Sequence, residues 1–304
     1  MTYNTCDQFQ GIWLGSIFGQ ALIDRTDRGN RLTFDFSSPD WLKQRKQATA
    51  ILLEAEGLAD SRQNKFQCGR NLLSILPWIL IYGEDRDSLK LTINKLYRTI
   101  LPSEAREDTI EDIFLWSHLL RLLLNTSRSP LDFKLWCRQA IENAEVSNLL
   151  LINKLTTATA AVRDGMSLQQ LSEKLDFEDN SRQTAIALAY YCFVTTPEEF
   201  SLSVTRAANI PYLAWLTAPL TATLSGAYNG MTGIPKNWRA IAERHSDYHL
   251  EIELAIKLFR AWLGVYPADC EELRDREFHA VAVPQLIQPR KSLKIISQTK
   301  FLFE

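Results

Sequence analysis

Helical periodicity runs through nearly the whole chain and constrains its fold more than any other feature. Apolar residues recur at three- to four-residue spacing among charged ones, as in helices that bury one face. Alternating strand patterns are scarce, and only Arg31–Phe36 could form a short strand of this kind. We therefore predict an all-α protein. The clearest helical segments are Ile110–Leu124, Leu131–Ala144, Leu168–Leu175, Ala185–Val194 and Leu250–Leu263.

The end of the chain departs from this pattern. Pro284 and Pro289 exclude a regular helix in Ala280–Ile296. We expect a single helical domain over residues 1–280 and an extended tail over residues 281–304. The tail packs on the domain or docks on a partner, and packing is favoured because exposed aromatic side chains are costly in water. Its basic and aromatic residues are Arg290, Lys291, Lys294, Lys300, Phe301 and Phe303.

Gly11, Gly15 and Gly19 repeat at every fourth position of the first helical segment. The same spacing occurs in membrane helix dimers, but here the flanks are polar and the segment is short. The pattern therefore favours close packing between helices of a soluble domain.

Composition excludes several classes of protein. The 304 residues are 46% hydrophobic with a net charge of −2, which is typical of a soluble globular protein without general affinity for nucleic acid. The longest apolar run, Leu72–Tyr82, is too short to span a bilayer. Asp7 and Gln8 interrupt any apolar core of a signal peptide. We expect a cytoplasmic protein without a membrane span.

The five cysteines are scattered and form no CxxC pair. This usage predicts reduced, mostly buried thiols rather than a zinc or redox site. Neither a Gly-x-Ser-x-Gly elbow nor a glycine-rich phosphate loop is present.

Three segments carry a further pattern. Phe9–Leu22 is a helix with a small residue at every fourth position, and Trp41–Leu58 continues from Ala48 in small and aliphatic residues. In the third, a helix pair leads to Gly226-Ala227-Tyr228-Asn229-Gly230 and Ile234-Pro235-Lys236-Asn237-Trp238. Together they resemble the ADP-ribosylglycohydrolase family. The resemblance implies an all-α fold built around two metal ions that position ADP-ribose and a water.

The carboxylates of the family's metal motifs are missing from the aligned positions. Gln20 stands where the family has Asp after the third glycine. The Thr-Asp-Asp-Thr motif aligns with Arg45, Lys46, Gln47 and Ala48. The Gly-Gly-Asp-Thr-Asp motif aligns so that Pro211 and Tyr212 replace the glycines, and Leu213 and Trp215 replace the aspartates. No Asp or Glu lies between Glu199 and Glu243, so a small shift of register restores none of them.

These replacements predict that the chain binds no metal and uses no cofactor, because Mg²⁺ and related ions require oxygen ligands. We expect Tyr212, Leu213 and Trp215 to fill the former cleft. If Arg45 or Lys46 points inward, its cation could replace the metal charge and form a small anion site. Asp24 could remain as a relic of a catalytic acid.

Two other groups of residues have the types and spacing of a chemical site. His245 and His249 have i,i+4 spacing suited to a metal, but a polar helix start capped by Ser246 or Asp247 is favoured. The acidic cluster of Glu104, Glu107, Asp108, Glu111 and Asp112 favours a solvated helix start over acid–base catalysis. His118 is expected to be a core or boundary residue.

The sequence therefore predicts a catalytically inactive relative of the ADP-ribosylglycohydrolases. It would act as a scaffold or regulator by binding a protein partner that the sequence does not identify. The alternatives are a sensor that binds ADP-ribose or a nucleotide without cleaving it, and an active hydrolase with atypical ligands. The sequence does not reveal the oligomeric state.

Overall fold

The computed structural model describes residues 2–28, 40–55, 72–83, 85–97, 103–125, 132–175, 181–263, 280–283 and 286–289. These residues are overwhelmingly helical, which confirms the predicted all-α class. The α-helices are α1 (Thr2–Arg28), α2 (Asp40–Ala55), α3 (Leu76–Tyr82), α4 (Arg86–Tyr97), α5 (Ser103–Asn125), α6 (Phe133–Ala144), α7 (Leu149–Arg163), α8 (Leu168–Lys174), α9 (Ser181–Val194), α10 (Phe200–Ala208), α11 (Ala214–Asn229), α12 (Lys236–Ala242) and α13 (Ser246–Trp262). Short 3₁₀ turns at Leu72–Ile75 and Met231–Gly233 precede α3 and α12.

Local capping sets where several helices begin. The Asp132 carboxylate accepts hydrogen bonds from the backbone N–H groups of Lys134 and Leu135, so α6 begins at Phe133. Ser167 and Gln170 form a reciprocal capping box at the start of α8. The helix predicted after Ser167 is confirmed, and the capping box explains why it begins at Leu168.

The glycine stripe of α1 packs against the backbone of α11. A Cβ added at Gly11, Gly15 or Gly19 would lie 2.3, 2.4 or 2.6 Å from a backbone carbonyl oxygen of α11. The contacted oxygens belong to Gly226, Ala222 and Ala218 in that order, so the two helices run antiparallel. The prediction of close helix packing is confirmed, and the amino end of α11 lies beside the carboxyl end of α1.

Two helices form the centre of the core. Every residue of α9 from Ala185 to Val194 is buried, as its apolar sequence predicted. In α11 the residues from Leu216 to Ala227 are also buried. Two of its buried threonines satisfy their hydroxyls within the helix: Thr221 Oγ1 donates to the Thr217 carbonyl at 2.8 Å and Thr223 Oγ1 to the Pro219 carbonyl at 2.7 Å.

The end of the described chain forms a two-stranded antiparallel hairpin. Strand β1 (Ala280–Val283) pairs with β2 (Leu286–Pro289), with Val283 opposite Leu286. The backbone is thus extended in these parts of Ala280–Ile296. The remainder of the tail and the possible strand Arg31–Phe36 lie outside the described residues.

Cys6, Cys137 and Cys192 are free thiols. Burial raises the pKa of Cys192 to about 12, so this thiol stays protonated at neutral pH. Cys68 and Cys270 lie outside the described residues. Across the described part of the chain, no helix combines the length and apolar character needed to cross a bilayer.

Candidate functional site

Helix α2 lies against α1 and runs in the opposite direction. Trp41, in the first turn of α2, donates its indole N–H to Gln20 Oε1 at 3.3 Å, whereas Arg45 reaches back to Trp13 and Ser16 of α1. The amino ends of α2 and α11 therefore both meet the carboxyl half of α1. The aligned motif positions lie on α1, on α2 and at the start of α11, and the fold brings these three segments together near the carboxyl end of α1.

The Arg45 side chain points inward and is fully buried. Its Nη1 donates to the Trp13 carbonyl oxygen at 3.0 Å and to Ser16 Oγ at 2.7 Å. Its guanidinium carbon lies 4.0 Å from the centre of the Trp13 ring and 5.3 Å from that of Trp41. Aromatic faces attract a cation in this position, which partly offsets its removal from water.

Glu251 of α13 supplies the counter-charge and is equally buried. Its Oε2 accepts from Arg45 Nη2 at 2.9 Å and from Trp13 Nε1 at 2.7 Å, while its Oε1 lies 3.4 Å from Lys46 Nζ. We call Trp13, Ser16, Arg45, Lys46 and Glu251 the ion-pair centre.

The electrostatics of the ion-pair centre differ from those of a metal site. Burial lowers the pKa of Arg45, and the charge and hydrogen bond of Glu251 act in the opposite direction. Two cationic side chains face one carboxylate, which leaves a net formal charge of +1. Lys46 is one-third exposed and is the only one of these three charged groups in contact with solvent.

The residues at the aligned motif positions do not fit a pair of metal ions. Leu213 and Trp215 offer no side-chain oxygen ligand, and the Gln20 amide oxygen already accepts from Trp41. Arg45 and Lys46 would repel a dication, while the buried carboxylate nearby is engaged by both of them. Among the described residues no three His, Cys, Asp or Glu side chains are grouped as metal ligands would be.

The expectation that Tyr212 and Trp215 fill the cleft is wrong. Tyr212 is 89% exposed and Trp215 is 49% exposed, whereas Leu213 between them is buried. The Leu213 N–H donates to the Pro211 carbonyl at 2.7 Å, and Tyr212 at the centre of this tight turn has φ of +63°. This conformation directs the Tyr212 side chain into solvent. We call Tyr212 and Trp215 the aromatic tip.

The other predicted cleft residues are divided between core and surface. Gln20 is half-buried, and Gln47 is exposed on α2. Asp24 belongs to α1, but its side chain lies outside the described residues. Arg45 points inward, which was the condition for a small anion site at this place. However, its Nη donors are engaged by Trp13, Ser16 and Glu251, so they are not free to bind an anion.

Sequence reasoning missed Glu251 as a member of the site. In the sequence it stands out only as a neighbour of the two histidines. A signal was available, because Tyr248, Glu251, Ala255, Leu258 and Trp262 follow heptad-like spacing and are all buried. A carboxylate on the apolar face of an amphipathic helix requires a buried partner.

The histidine pair does not form a metal site in the described structure. His245 and His249 are both exposed, and His249 Nε2 lies 3.2 Å from the Glu243 carbonyl oxygen. The predicted caps are wrong: His245 occupies the N-cap position of α13, and Ser246 is its first helical residue. The His245 backbone is extended, and its side chain makes no capping hydrogen bond to the first turn of α13.

Part of the acidic cluster is structural rather than solvated. Asp112 is fully buried and pairs with Arg182, while the Gln183 amide donates to Asp112 Oδ1 at 3.2 Å. Glu111 accepts hydrogen bonds from the backbone N–H groups of Ser147 and Asn148 before α7. The cluster thus joins α5 to α7 and α9. The side chains of Glu104, Glu107 and Asp108 lie outside the described residues.

A separate apolar groove of about 790 Å³ lies between α6, α7 and α9. Its walls include Phe133, Ile141, Ile152, Val162 and Val194. None of the residues of the ion-pair centre or the aromatic tip lines it.

The helical fold and the buried ion pair define an all-α protein in which a guanidinium is paired with a carboxylate of the same chain inside the core. A family model described as ADP-ribosylglycohydrolase matches residues 17–268. The chain belongs to the ADP-ribosylglycohydrolase family. No curated protein gives a significant match to it.

Proposed function

We propose that this chain is a catalytically inactive, cytoplasmic member of the ADP-ribosylglycohydrolase family that acts as a scaffold or regulator by binding another protein. The observation that carries the proposal is the direction of the Arg45 side chain. The buried Arg45 guanidinium stands at the first position of the aligned Thr-Asp-Asp-Thr motif, directly before Lys46 and Gln47, which replace the two aspartates. Glu251 pairs with it at 2.9 Å.

Electrostatics oppose metal-dependent hydrolysis at this place. At an effective dielectric of 20, a dication near a buried guanidinium is repelled by on the order of several kcal/mol. Glu251 cannot offset this repulsion without giving up Arg45 and Lys46. The full burial of Glu251 also makes it a poor general base, because a base must lie within hydrogen-bond reach of the water that it activates.

A specific observation favours one second candidate, a sensor that binds ADP-ribose without cleaving it. The ion-pair centre carries a net positive charge, and Lys46 is one-third exposed. An anionic ligand could therefore interact with Lys46 while Arg45 remains paired.

Titration calorimetry with ADP-ribose, with and without Mg²⁺, separates these functions, together with an assay of release from an ADP-ribosylated protein. The proposed function predicts neither binding nor turnover. Metal-independent binding that Lys46→Ala weakens would establish the sensor instead, with Lys43→Ala on the same helix as the control. Mg²⁺-dependent binding or turnover would show an active hydrolase with atypical ligands and overturn the proposal.

The protein partner requires a separate experiment. A pull-down from native cytoplasm should recover a partner, and the purified partner should then bind the purified chain directly. Failure to bind in the purified system would remove the support for a scaffold.

A further inference from the structure

The groove between α6, α7 and α9 has the size and the lining of a small-molecule site. Its volume of about 790 Å³ lies within the range of roughly 300–1,000 Å³ that is usual for ligand pockets. Its surface is mostly apolar and includes Phe133, Leu135, Ile141, Ile152 and Val194. The groove is therefore a second candidate site, separate from the aligned motif positions.

The shape of the groove follows from the way its helices diverge. Residues 145–148 join α6 to α7, so the two helices meet at that end. Beyond it α6 packs on α5 and α7 packs on α9, which leaves a concave face between them. Tyr190 of α9 lines this face, and its ring stacks on Trp136 with the ring centres 5.5 Å apart. The groove is thus formed before any ligand arrives, which lowers the cost of binding.

The polar groups inside the groove are uncharged, and their hydroxyl protons are already engaged. The Tyr190 hydroxyl donates to the Phe133 carbonyl at 3.0 Å, and the Thr159 hydroxyl donates to the Leu155 carbonyl at 2.8 Å. Burial raises the pKa of the Tyr190 hydroxyl and of the Cys137 thiol, so both stay protonated at neutral pH. A charged group placed inside would lose its water without gaining a partner. The interior therefore favours the apolar part of a ligand.

The edge of the groove carries more cations than carboxylates. The charged lining residues are Lys134, Arg138, Arg163, Asp132 and Glu142. Asp132 is engaged by the backbone as the N-cap of α6, and Arg163 pairs with the neighbouring Asp164 at 2.7 Å. Arg138 makes only a long, exposed contact of 3.7 Å with Glu142, which contributes little. Lys134, one turn before Arg138, is exposed and forms no ion pair with a described residue. The edge therefore favours an anionic group.

We propose that this groove binds a small amphiphilic carboxylic acid. The apolar chain or ring of the ligand lies along the groove, and its carboxylate meets Lys134 and Arg138 at the edge. A cationic amphiphile of the same size would bring a like charge beside these two side chains, so the site discriminates against it. The ligand site shares no residue with the ion-pair centre or the aromatic tip, and it does not depend on whether the chain binds a protein partner.

Titration calorimetry of the full chain tests the chemistry of the ligand with two probes that share one apolar chain and differ in charge. Dodecanoate and dodecyltrimethylammonium are each titrated below their critical micelle concentrations. Dodecanoate should bind, and the ammonium probe should bind about tenfold more weakly or not at all. Shortening the acid to decanoate and octanoate should weaken binding by roughly fourfold for each methylene removed, because the chain is buried in the groove.

Two substitutions on α7 test the place of binding. Thr156 is exposed and lines the groove, so the indole in Thr156→Trp occupies the groove without entering the core. This variant should lose dodecanoate binding. Asn153→Trp is the matched control, because Asn153 is exposed on the same helix and does not line the groove. It should bind dodecanoate like the wild type, and thermal unfolding checks that both variants are folded.

A charge variant tests the role of the edge. Lys134→Gln/Arg138→Gln should weaken dodecanoate binding and bring the Kd values of the two probes together. Lys90→Gln/Lys236→Gln is its control, since it changes the net charge equally at exposed positions outside the groove. This control should keep the wild-type preference for the carboxylate.

Several outcomes would overturn the proposal. They are an absence of dodecanoate binding, equal binding of the two probes, and binding that Thr156→Trp or Lys134→Gln/Arg138→Gln leaves unchanged. Binding to phosphatidylcholine–phosphatidylserine vesicles but not to free dodecanoate, lost in Thr156→Trp, would assign the groove to a membrane lipid and would also overturn it. None of these results bears on the pull-down that tests the proposed function, so the two proposals fail separately.

Discussion

At the scale of single residues, the ion-pair centre is a buried charge network held by many partners. Arg45 and Glu251 are both removed from water, and each is costly to bury alone. Trp13 links them, because its indole N–H donates to Glu251 and its ring faces Arg45. The network specifies how α1, α2 and α13 meet.

Removing one member should therefore cost more than removing both. Arg45→Met removes the buried cation that pairs with Glu251 and leaves the partly exposed Lys46 at 3.4 Å, and we expect a loss of about 3–5 kcal/mol in the free energy of unfolding. Arg45→Met/Glu251→Leu removes both charges and should recover most of that loss. Urea denaturation of the single and double variants measures the coupling.

The exposed ion pair between Lys257 and Glu253 on α13 is the control for these variants. Lys257 lies 2.8 Å from Glu253, and both are more than half exposed. Lys257→Met should cost less than about 1 kcal/mol. Equal losses for Lys257→Met and Arg45→Met would contradict the account of a buried network.

His118 provides a pH-dependent test of burial. Desolvation and the nearby Arg121 and Arg86 lower its pKa to about 4. Between pH 6.5 and pH 4, His118 is protonated in the unfolded state but largely neutral in the folded state. The free energy of unfolding therefore decreases as the pH falls through this window. The free energy of unfolding should decrease less over that window in His118→Gln than in the wild type. Identical pH profiles would mean that His118 titrates normally.

At the scale of secondary-structure elements, the contact between α1 and α11 determines the position of the aromatic tip. Backbone approaches backbone along this contact, since a Cβ on Gly226 would lie 2.0 Å from the Gly11 carbonyl oxygen. The glycines at every fourth position of α1 therefore determine how far α11 is shifted along α1. The direction of the Tyr212 turn follows from where α11 must begin.

Gly15→Ala should accordingly destabilise the domain. Alanine in a helix interior ordinarily stabilises by about 1 kcal/mol relative to glycine. Here its Cβ would meet the Ala222 oxygen at 2.4 Å, and we expect a net loss of about 1–3 kcal/mol from overpacking. Thermal unfolding measures it. Gly165→Asn, at a left-handed turn with no heavy atom within 4 Å, should be nearly neutral. A stabilising Gly15→Ala would disprove the close packing.

At the scale of the whole molecule, stability should not depend on divalent metal. A metal that binds only the native state, at a concentration 100 times its dissociation constant, would add about 2.7 kcal/mol to the free energy of unfolding. For a domain of this size that is a rise of several degrees in Tm. We expect the Tm in EDTA and in millimolar Mg²⁺ to agree, because Arg45 already supplies the cation that Glu251 needs. A rise of several degrees with Mg²⁺ would contradict the metal-free account.

The helical architecture was predictable because its patterns are local. Ala185–Val194 is apolar throughout and is buried throughout, and the α1 glycines indicated a close contact before its partner was known. The candidate site was predictable only in part. The loss of carboxylates is visible in the aligned motifs, and Arg45 was a candidate for an inward-pointing cation.

The sequence by itself determined the fold class, the family resemblance and the missing metal ligands, because these depend on residue type and short-range spacing. Tertiary structure decided what replaced the ligands. Glu251 lies 206 residues from Arg45 along the chain, and only the packing of α13 against α1 and α2 makes it the counter-ion. Tertiary structure also decided that Tyr212 is exposed, because the start of α11 imposes a left-handed turn that residue type alone disfavours.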